Sequence, residues 1–297
     1  MARTPDGAPA GAPELAVVVG TRDRAPHLPA ALAALGAIRS TRDWELVLVD
    51  NGSRDGTAAL LAEFARSAVM PVTIVDEPRP GLGRAHNAGL SATRAVVVAF
   101  TDDDCYPAPD YVDQWLAAFA DPRVAYGAGR IVLHDPDDFP ITIRPETEAR
   151  PIPPRAFIEP GFVQGANMAF RASVLRAIGG FDPDLGPGGR FNCEDLDVAA
   201  RASAAGYRGG FFPGPLVRHH HRRRTPEEVA ALRRSYDRGR GAYFASLLLR
   251  RSTWRLGALE WVHSFRSKTP GEIARELRAA AEYVVWRGLG SGVTGRG

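Results

Sequence analysis

The 297-residue chain predicts an α/β fold, a mainly parallel central sheet flanked by helices, with a helical C-terminal extension. Three observations predict it. From Glu14 to Phe100, apolar strands alternate with single helices, the pattern of right-handed βαβ crossovers. The strands are nearly continuous apolar runs, as in sheets covered on both faces. Beyond about residue 224, strand patterns give way to helix-start signals.

The elements follow in order. Leu15–Gly20 is a buried strand, Leu28–Leu35 an alanine- and leucine-rich helix, and Trp44–Asp50 a second strand. Asn51-Gly-Ser-Arg-Asp-Gly-Thr57 reads as a turn leading into a helix through Arg66. Val72–Asp76 is a third strand, Arg84–Thr93 a helix, and Ala95–Phe100 a fourth strand running into Thr101-Asp-Asp-Asp-Cys105. Asp135–Pro160, dense in proline and charge, reads as an irregular connection. Phe162–Phe170 reads as a strand, with a short helix from Ser173, a glycine-rich loop over Gly179–Gly189, a helix over Cys193–Ala205 and a strand over Gly209–Phe212. Thr225-Pro-Glu-Glu228 and Thr269-Pro-Gly-Glu272 are capping boxes that open helices. The expected organisation is a disordered leader over 1–13, an α/β domain over 14–224 and a basic helical extension over 225–297.

Charge is sorted along the chain. The whole carries +3, yet residues 1–217 hold 20 cations and 27 anions, while residues 218–297 hold 17 and 7. A 45% hydrophobic content excludes wholesale disorder. No apolar run approaches the ~20 residues of a membrane span. The N-terminus lacks a signal-peptide core, and two cysteines make no disulfide framework, so a reduced, cytoplasmic setting is expected.

Ligands of such sheets collect at the carboxyl ends of the strands. That rim holds Thr21 and Arg22, Asp50, and Asp102-Asp-Asp104. Residues two apart in an extended segment share a side, so Asp102 and Asp104 can act together. Carboxylates with substrate phosphates bind Mg²⁺ or Mn²⁺; the plain alternative is an acidic strand-end turn. Glu194-Asp195 opens a helix, where carboxylates either complement the dipole or serve as a general base; about 100° separates them, so one faces the reaction. His219-His-His221 ligate a metal, act as a base or belong to a solvated basic run; His219 and His221 share one side of an extended segment and as ligands would favour Mn²⁺ over Mg²⁺. Arg222–Arg224 clamp a diphosphate or are simply solvated. No dinucleotide fingerprint, phosphate-loop lysine or Gly-x-Ser-x-Gly elbow is present. Lys268 is the only lysine, and it lies in the tail.

These motifs together resemble the family 2 glycosyltransferases of the GT-A (Rossmann-like) fold. The resemblance runs over Leu15–Arg224 and rests on Val17-Val-Val-Gly-Thr-Arg22, Val49-Asp-Asn-Gly-Ser-Arg-Asp-Gly-Thr57, Gly81-x-x-Arg-Ala-His-Asn-Ala-Gly89, Thr101-Asp-Asp-Asp104, Gly165-Ala-Asn-Met-Ala-Phe170, Gly179-Gly-Phe-Asp182 and Glu194-Asp195. It implies a nucleotide-sugar donor, with UDP favoured, a Mn²⁺ or Mg²⁺ ion, and inversion at the anomeric carbon. By resemblance, Asp104 and His219 are metal ligands, Asp195 the base with Glu194 beside it, and Asp50 a nucleobase contact. Thr21, Arg22, Arg84, Asn87, Asp102, Asp103 and Asn167 are the other donor-binding residues. The first strand ends Val-Gly-Thr-Arg where the family commonly has Pro-Thr-Tyr-Asn. A nucleotidyltransferase is the nearest enzyme rival, but it would want a glycine-rich triphosphate loop near the N-terminus. The +10 tail suggests a non-enzymatic binder of anionic polymers, but few aromatics interleave its arginines as nucleic-acid stacking requires. The expected partners are therefore the donor and a small-molecule, glycan or lipid-linked acceptor, not nucleic acid. A peripheral membrane contact and a homodimer through the C-terminal helices are further roles open to the tail.

Overall fold

The structure, a computed structural model, describes residues 11–291. Of the expected leader, 1–10 lie outside the described residues; Pro13 is tied to the residue that precedes β4, its carbonyl accepting from Val96 N at 3.0 Å.

Four parallel strands, β1 (Leu15–Thr21), β2 (Trp44–Asp50), β3 (Val72–Asp76) and β4 (Val97–Asp102), are joined by α1 (Leu28–Gly36), α2 (Thr57–Ser67) and α3 (Leu82–Ala92). Register places Gly20 beside both Val49 and Asp102, and Thr21 beside Asp50, so these strands end on one rim. Every residue of β1 is buried, which explains its unbroken apolar sequence.

Beyond β4 the sheet becomes mixed. The chain adds β5 (Cys105–Pro107), α4 (Tyr111–Ala118) and β6 (Val124–Leu133), a stretch where the sequence patterns had suggested no element. Then come β7 (Arg150–Ile152), within the expected irregular connection, β8 (Asn167–Arg171), α5 (Ala172–Ala177), α6 (Glu194–Ala204) and β9 (Arg208–His219). The order across the sheet is β3-β2-β1-β4-β8-β6-β9-β5, with β7 paired to β9. β8 runs antiparallel to β4 and β6.

Two boundaries depart from the sequence pattern. The strand expected from Phe162 begins only at Asn167, because Phe162 N and Asn167 N close turns onto Glu159 O and Gln164 O. Phe162 and Val163 are nonetheless buried, as loop residues covering the core. The strand expected to end at Phe212 runs on to His219: a register shift against Gly129/Arg130 absorbs Pro213–Pro215 as a bulge, and Leu216 resumes pairing.

Alternate strand residues enter two cores. Val17, Val19, Leu46 and Leu48 pack with Leu28 of α1, Leu61 of α2 and Trp115 of α4. Val18, Val47, Val49 and Phe100 belong to the opposite core, which also holds Leu196 and residues of the C-terminal helices, Tyr243, Trp261 and Tyr283. Those helices are α7 (Pro226–Leu248), α8 (Trp254–Ser264) and α9 (Pro270–Ser291). α7 opens with the expected capping box: Thr225 Oγ1 accepts from Glu228 N, and Thr225 N donates to the Glu228 carboxylate at 3.0 Å.

The sorted charges meet inside the molecule. Arg224 pairs with Asp135 and Asp138, Arg250 with Asp197 at 2.6 Å, and Arg287 with Asp182. Part of the tail's positive excess thus neutralises the acidic portion of the same chain. No helix among the described residues is long and apolar enough to cross a membrane.

Candidate active site

The rim opens into a cleft of about 840 Å³, of the size that holds a nucleotide-sized ligand. One side is the end of β1 and the loop after it, with Thr21, Arg22 and Arg24, together with Asn51. Asn51 also secures the next wall. Its amide donates to Glu77 O and Arg79 O at 3.0 and 2.8 Å and accepts from Gly81 N at 2.8 Å. Gly52, which follows, has φ +75 and lies against Pro78 O, a position suited to glycine.

The floor is Asp102-Asp-Asp104. The β5–β9 ladder pairs Cys105 with His219, and His220 N donates to Asp104 O at 2.9 Å, so Asp104 and His219 face each other across two strands. His219 Nε2 lies 3.4 Å from Asp104 Oδ1. His219 Nδ1 lies 3.2 Å from the carbonyl of Thr142, which sits at φ 53, an uncommon backbone for a β-branched residue. Donation from Nδ1 to that carbonyl turns Nε2 toward Asp104, where it carries a proton to the carboxylate and, deprotonated, would offer its lone pair to a metal. Ligand atoms of Asp102, Asp104, Cys105 and His219 lie within 4.8 Å of one another. Two carboxylates and an imidazole suit a hard or borderline divalent cation. Burial pushes the Cys105 thiol well up, so it stays protonated and adds no thiolate.

Burial, with Asp104 next to it, raises the Asp102 carboxyl to about 7. Burial acts the same way on Asp104, but the His219 hydrogen bond and the charges of His219, Arg24 and Arg223 outweigh it and hold its pKa low. For His219, burial is outweighed by Asp104, and its pKa is raised. Asp103 is turned inward: it accepts from Thr21 Oγ1 at 2.6 Å and Arg24 Nε at 3.0 Å, while Arg24 also reaches Asp104 at 3.1 Å. No sequence motif singles out Arg24; its place in the loop just after the first strand, on the rim that ends in three carboxylates, is the one signal the chain carries for it.

Glu194 and Asp195 also line the cleft, at the start of α6. Asp195 Oδ2 accepts from Gly165 N at 3.0 Å and Oδ1 from its neighbour Leu196 N at 2.7 Å. Burial raises Asp195 to about 6 against the pull of these N–H groups. Burial and the adjacent Asp195 push Glu194 well above the carboxylate range. Glu194 is 5% exposed and packs under Gly186, where φ is +97 and a Cβ would come within 2.9 Å of its carboxyl carbon.

The third wall is α7, which contributes Leu232, Tyr236 and Arg240. Tyr236 has neither a ring neighbour nor a hydrogen-bond partner among the described residues. The arginine run divides. Arg222 bonds His220 O and Tyr106 Oη, and Arg224 pairs with Asp138, whereas Arg223 lines the cleft and its guanidinium has no partner among the described residues.

Thus Thr21, Arg22, Asp102, Asp103, Asp104, Glu194, Asp195 and His219 come together in one cleft. Four expected donor contacts do not line it. Asp50 turns back to accept from Ser53 N at 2.9 Å. Arg84 pairs with Asp184. Asn87 exchanges both amide bonds with the Phe181 backbone, at 2.8 Å each. Asn167 is fully buried, donating to Arg130 O and Pro215 O and accepting from Tyr111 Oη. The physical reason is shared: each polar group satisfies nearby backbone or an ion pair that holds the cleft walls together.

Residues 16–179 match the model of glycosyl transferase family 2. The chain belongs to this family. Among curated proteins it is similar to the pre-mycofactocin glycosyltransferase of Mycobacterium tuberculosis, 27% identical over 226 residues, 73% of this chain and 45% of that protein. The chain thus spans less than half the length of that relative. The glycosyltransferase AglE of Haloferax volcanii is 23% identical over 92% of the chain and 88% of its own length. Among solved structures, a mannosyltransferase of Pyrobaculum calidifontis in complex with GDP-Man and Mn²⁺ superposes with a TM-score of 0.61 at 19% identity, covering 94% of this chain and 84% of that one. TarS 1-349 of S. aureus in complex with UDP-GlcNAc gives 0.60 at 14%, covering 91% and 71%. The family 2 chain therefore has the GT-A fold, with C-terminal helices added.

Proposed function

We propose that this chain is a metal-dependent, inverting glycosyltransferase. It moves a sugar from a nucleoside-diphosphate donor, a UDP-sugar by preference, to an acceptor hydroxyl. The observation that carries the reading is the arrangement of the cleft: a cation site of Asp102, Asp104 and His219 shares one cavity with the carboxylate pair Glu194–Asp195.

Asp104 and His219, with Asp102, would hold Mn²⁺ or Mg²⁺, which when bound supplies positive charge against a departing diphosphate. Thr21, Arg22 and Asn51 bound the nucleotide end. Arg223, the one member of its run that faces the cleft without a partner, is the cation we assign to the diphosphate. Asp195 takes the acceptor proton. Its two backbone hydrogen bonds fix the carboxylate, and a pKa of about 6 keeps it mostly ionised at neutral pH while leaving it a stronger base than a free aspartate. Burial and the adjacent Asp195 raise Glu194, which favours leaving the negative charge of the pair on Asp195.

We read residues 14–224 as the catalytic unit and 225–297 as an extension that completes it. Leu232 and Tyr236 of α7 form the wall against which a small-molecule, glycan or lipid-linked acceptor would rest. Buried free thiols at Cys105 and Cys193 suit a reducing compartment, and a cytoplasmic, membrane-peripheral setting is our reading.

Thermal-shift titration with UDP, GDP and dTDP, with and without Mn²⁺, tests this. One diphosphate should raise the melting temperature in a metal-dependent, saturable way, as binding to the folded state alone requires. No shift with any of them would end the proposal.

A further inference from the structure

The apolar residues of α8 are spread around the helix rather than gathered on one side. Gly257 and Trp261 face inward; a Cβ on Gly257 would meet Leu247, and the Trp261 ring stacks on Phe244 at 5.4 Å. The outer face carries Leu259 and Val262, 71% and 66% exposed, and Trp254, 47% exposed at the first turn, sits at its margin on the side of Trp261. At about 100° per residue these three span an arc of roughly 140°. A helix apolar on both faces is ordinarily enclosed, and this one is enclosed on one side only.

The same face is cationic. Arg255 lies inside the arc, its guanidinium 5.1 Å from the Trp254 ring centre. Arg251 and Arg266 flank the helix at either end, and all three arginines are exposed. None pairs with a carboxylate among the described residues, unlike Arg250 and Lys268 close by, which bind Asp197 and Glu276. The only acid of α8, Glu260, is half-buried and lies outside the arc.

We propose that this face of α8 seats the protein on an anionic lipid surface. It deepens the membrane-peripheral part of the function proposed above and rests on that reading. Tryptophan and aliphatic side chains would enter the headgroup boundary, and the arginines would stay at the phosphates, their stems along the apolar surface. Charge selects this occupant over a second copy of the chain. A two-fold dimer applies the same patch to itself and would set these arginines against their own copies with no exposed acid to meet them. An anionic bilayer matches both the apolar and the charged components.

Co-sedimentation of the full chain with vesicles tests it. Wild type should sediment with vesicles of roughly 7:3 phosphatidylcholine to phosphatidylglycerol and not with phosphatidylcholine alone. Arg255→Gln/Arg266→Gln should weaken partitioning about tenfold, and Leu259→Glu/Val262→Glu should remove it. Both doubles should keep the wild-type thermal shift with nucleoside diphosphate and Mn²⁺, which reads folding and the donor site separately from lipid binding. Wild type that ignores the anionic vesicles would overturn the proposal. So would variants that bind as wild type does, or light scattering showing a dimer that Val262→Glu dissociates.

Discussion

Two sets of carboxylates in this molecule share chemistry but neither depth nor company. Beneath the C-terminal helices, Asp197, Asp237 and Glu276 are each no more than 1% exposed. Asp197 meets Arg201 at 2.7 Å and Arg250 at 2.6 Å; Asp237 meets Arg240 and Arg275; Glu276 meets Arg240 at 2.7 Å, Lys268 at 2.8 Å and the Trp261 indole at 3.0 Å. In the cleft, Asp102, Glu194 and Asp195 have no cationic side chain within 4.0 Å among the described residues, and burial pushes all three pKa values up. A buried charge with partners joins helices together; one without partners is a stored preference for a proton or a cation. The chain's sole lysine serves the first set.

The comparison breaks most sharply by mutation. Asp195→Asn should lower kcat by ~10²–10⁴ while leaving nucleoside-diphosphate affinity unchanged by calorimetry; unchanged kcat would remove Asp195 from its assigned role. Glu276→Ala should do the converse, costing about 3–5 kcal/mol of stability in urea unfolding because Arg240 and Lys268 are left with an empty partner site. A fully stable Glu276→Ala would mean the tail network is ornamental.

Proton linkage sharpens the contrast. Asp195 binds its proton more tightly folded, at about 6, than at its ordinary 3.8. The associated stability is present below the lower value and lost as pH rises through the higher. In chelator, the melting temperature should fall between pH 5 and 8, with Glu194 and Asp102 acting in the same direction. Asp195→Asn should melt higher than wild type at pH 8, by the equivalent of roughly 1–3 kcal/mol. A rise in wild-type stability with pH across that window would refute the assignment. Activity should run the other way, increasing with pH up to about 6 and then levelling as the base ionises. The smallest expected effect is at the diphosphate. Arg223→Gln should weaken binding of a nucleoside diphosphate about tenfold relative to the monophosphate, and Arg224→Gln should not, as isothermal titration can decide.

Much of the fold was legible in the chain. The nearly continuous apolar runs of β1, β2 and β4 announce strands covered on both faces, and period and capping locate α7 and α9. The acidic end of β4 is legible because like charges crowded after a buried strand need a reason to be there. Less legible was anything decided by long-range pairing. The Asp135–Pro160 stretch looks irregular, yet it supplies β7 and the Thr142 carbonyl that orients His219. Asn87 and Asn167 look like ligand contacts in a motif and prove to be internal struts, since residue type does not say which neighbour an amide meets.

By itself the sequence determined the alternation of strand and helix, the rim on which carboxylates gather, and the positive bias of the tail. These depend on local periodicity and on burial of each element's apolar side. Only the tertiary structure decided which charges are paired. Arg222, Arg223 and Arg224 are identical neighbours in sequence, but one bonds Tyr106 and the His220 carbonyl, one faces the cleft, and one holds Asp138. Partners so far apart along the chain meet through packing, and packing, not composition, sets whether a charge stabilises the fold or remains free to act.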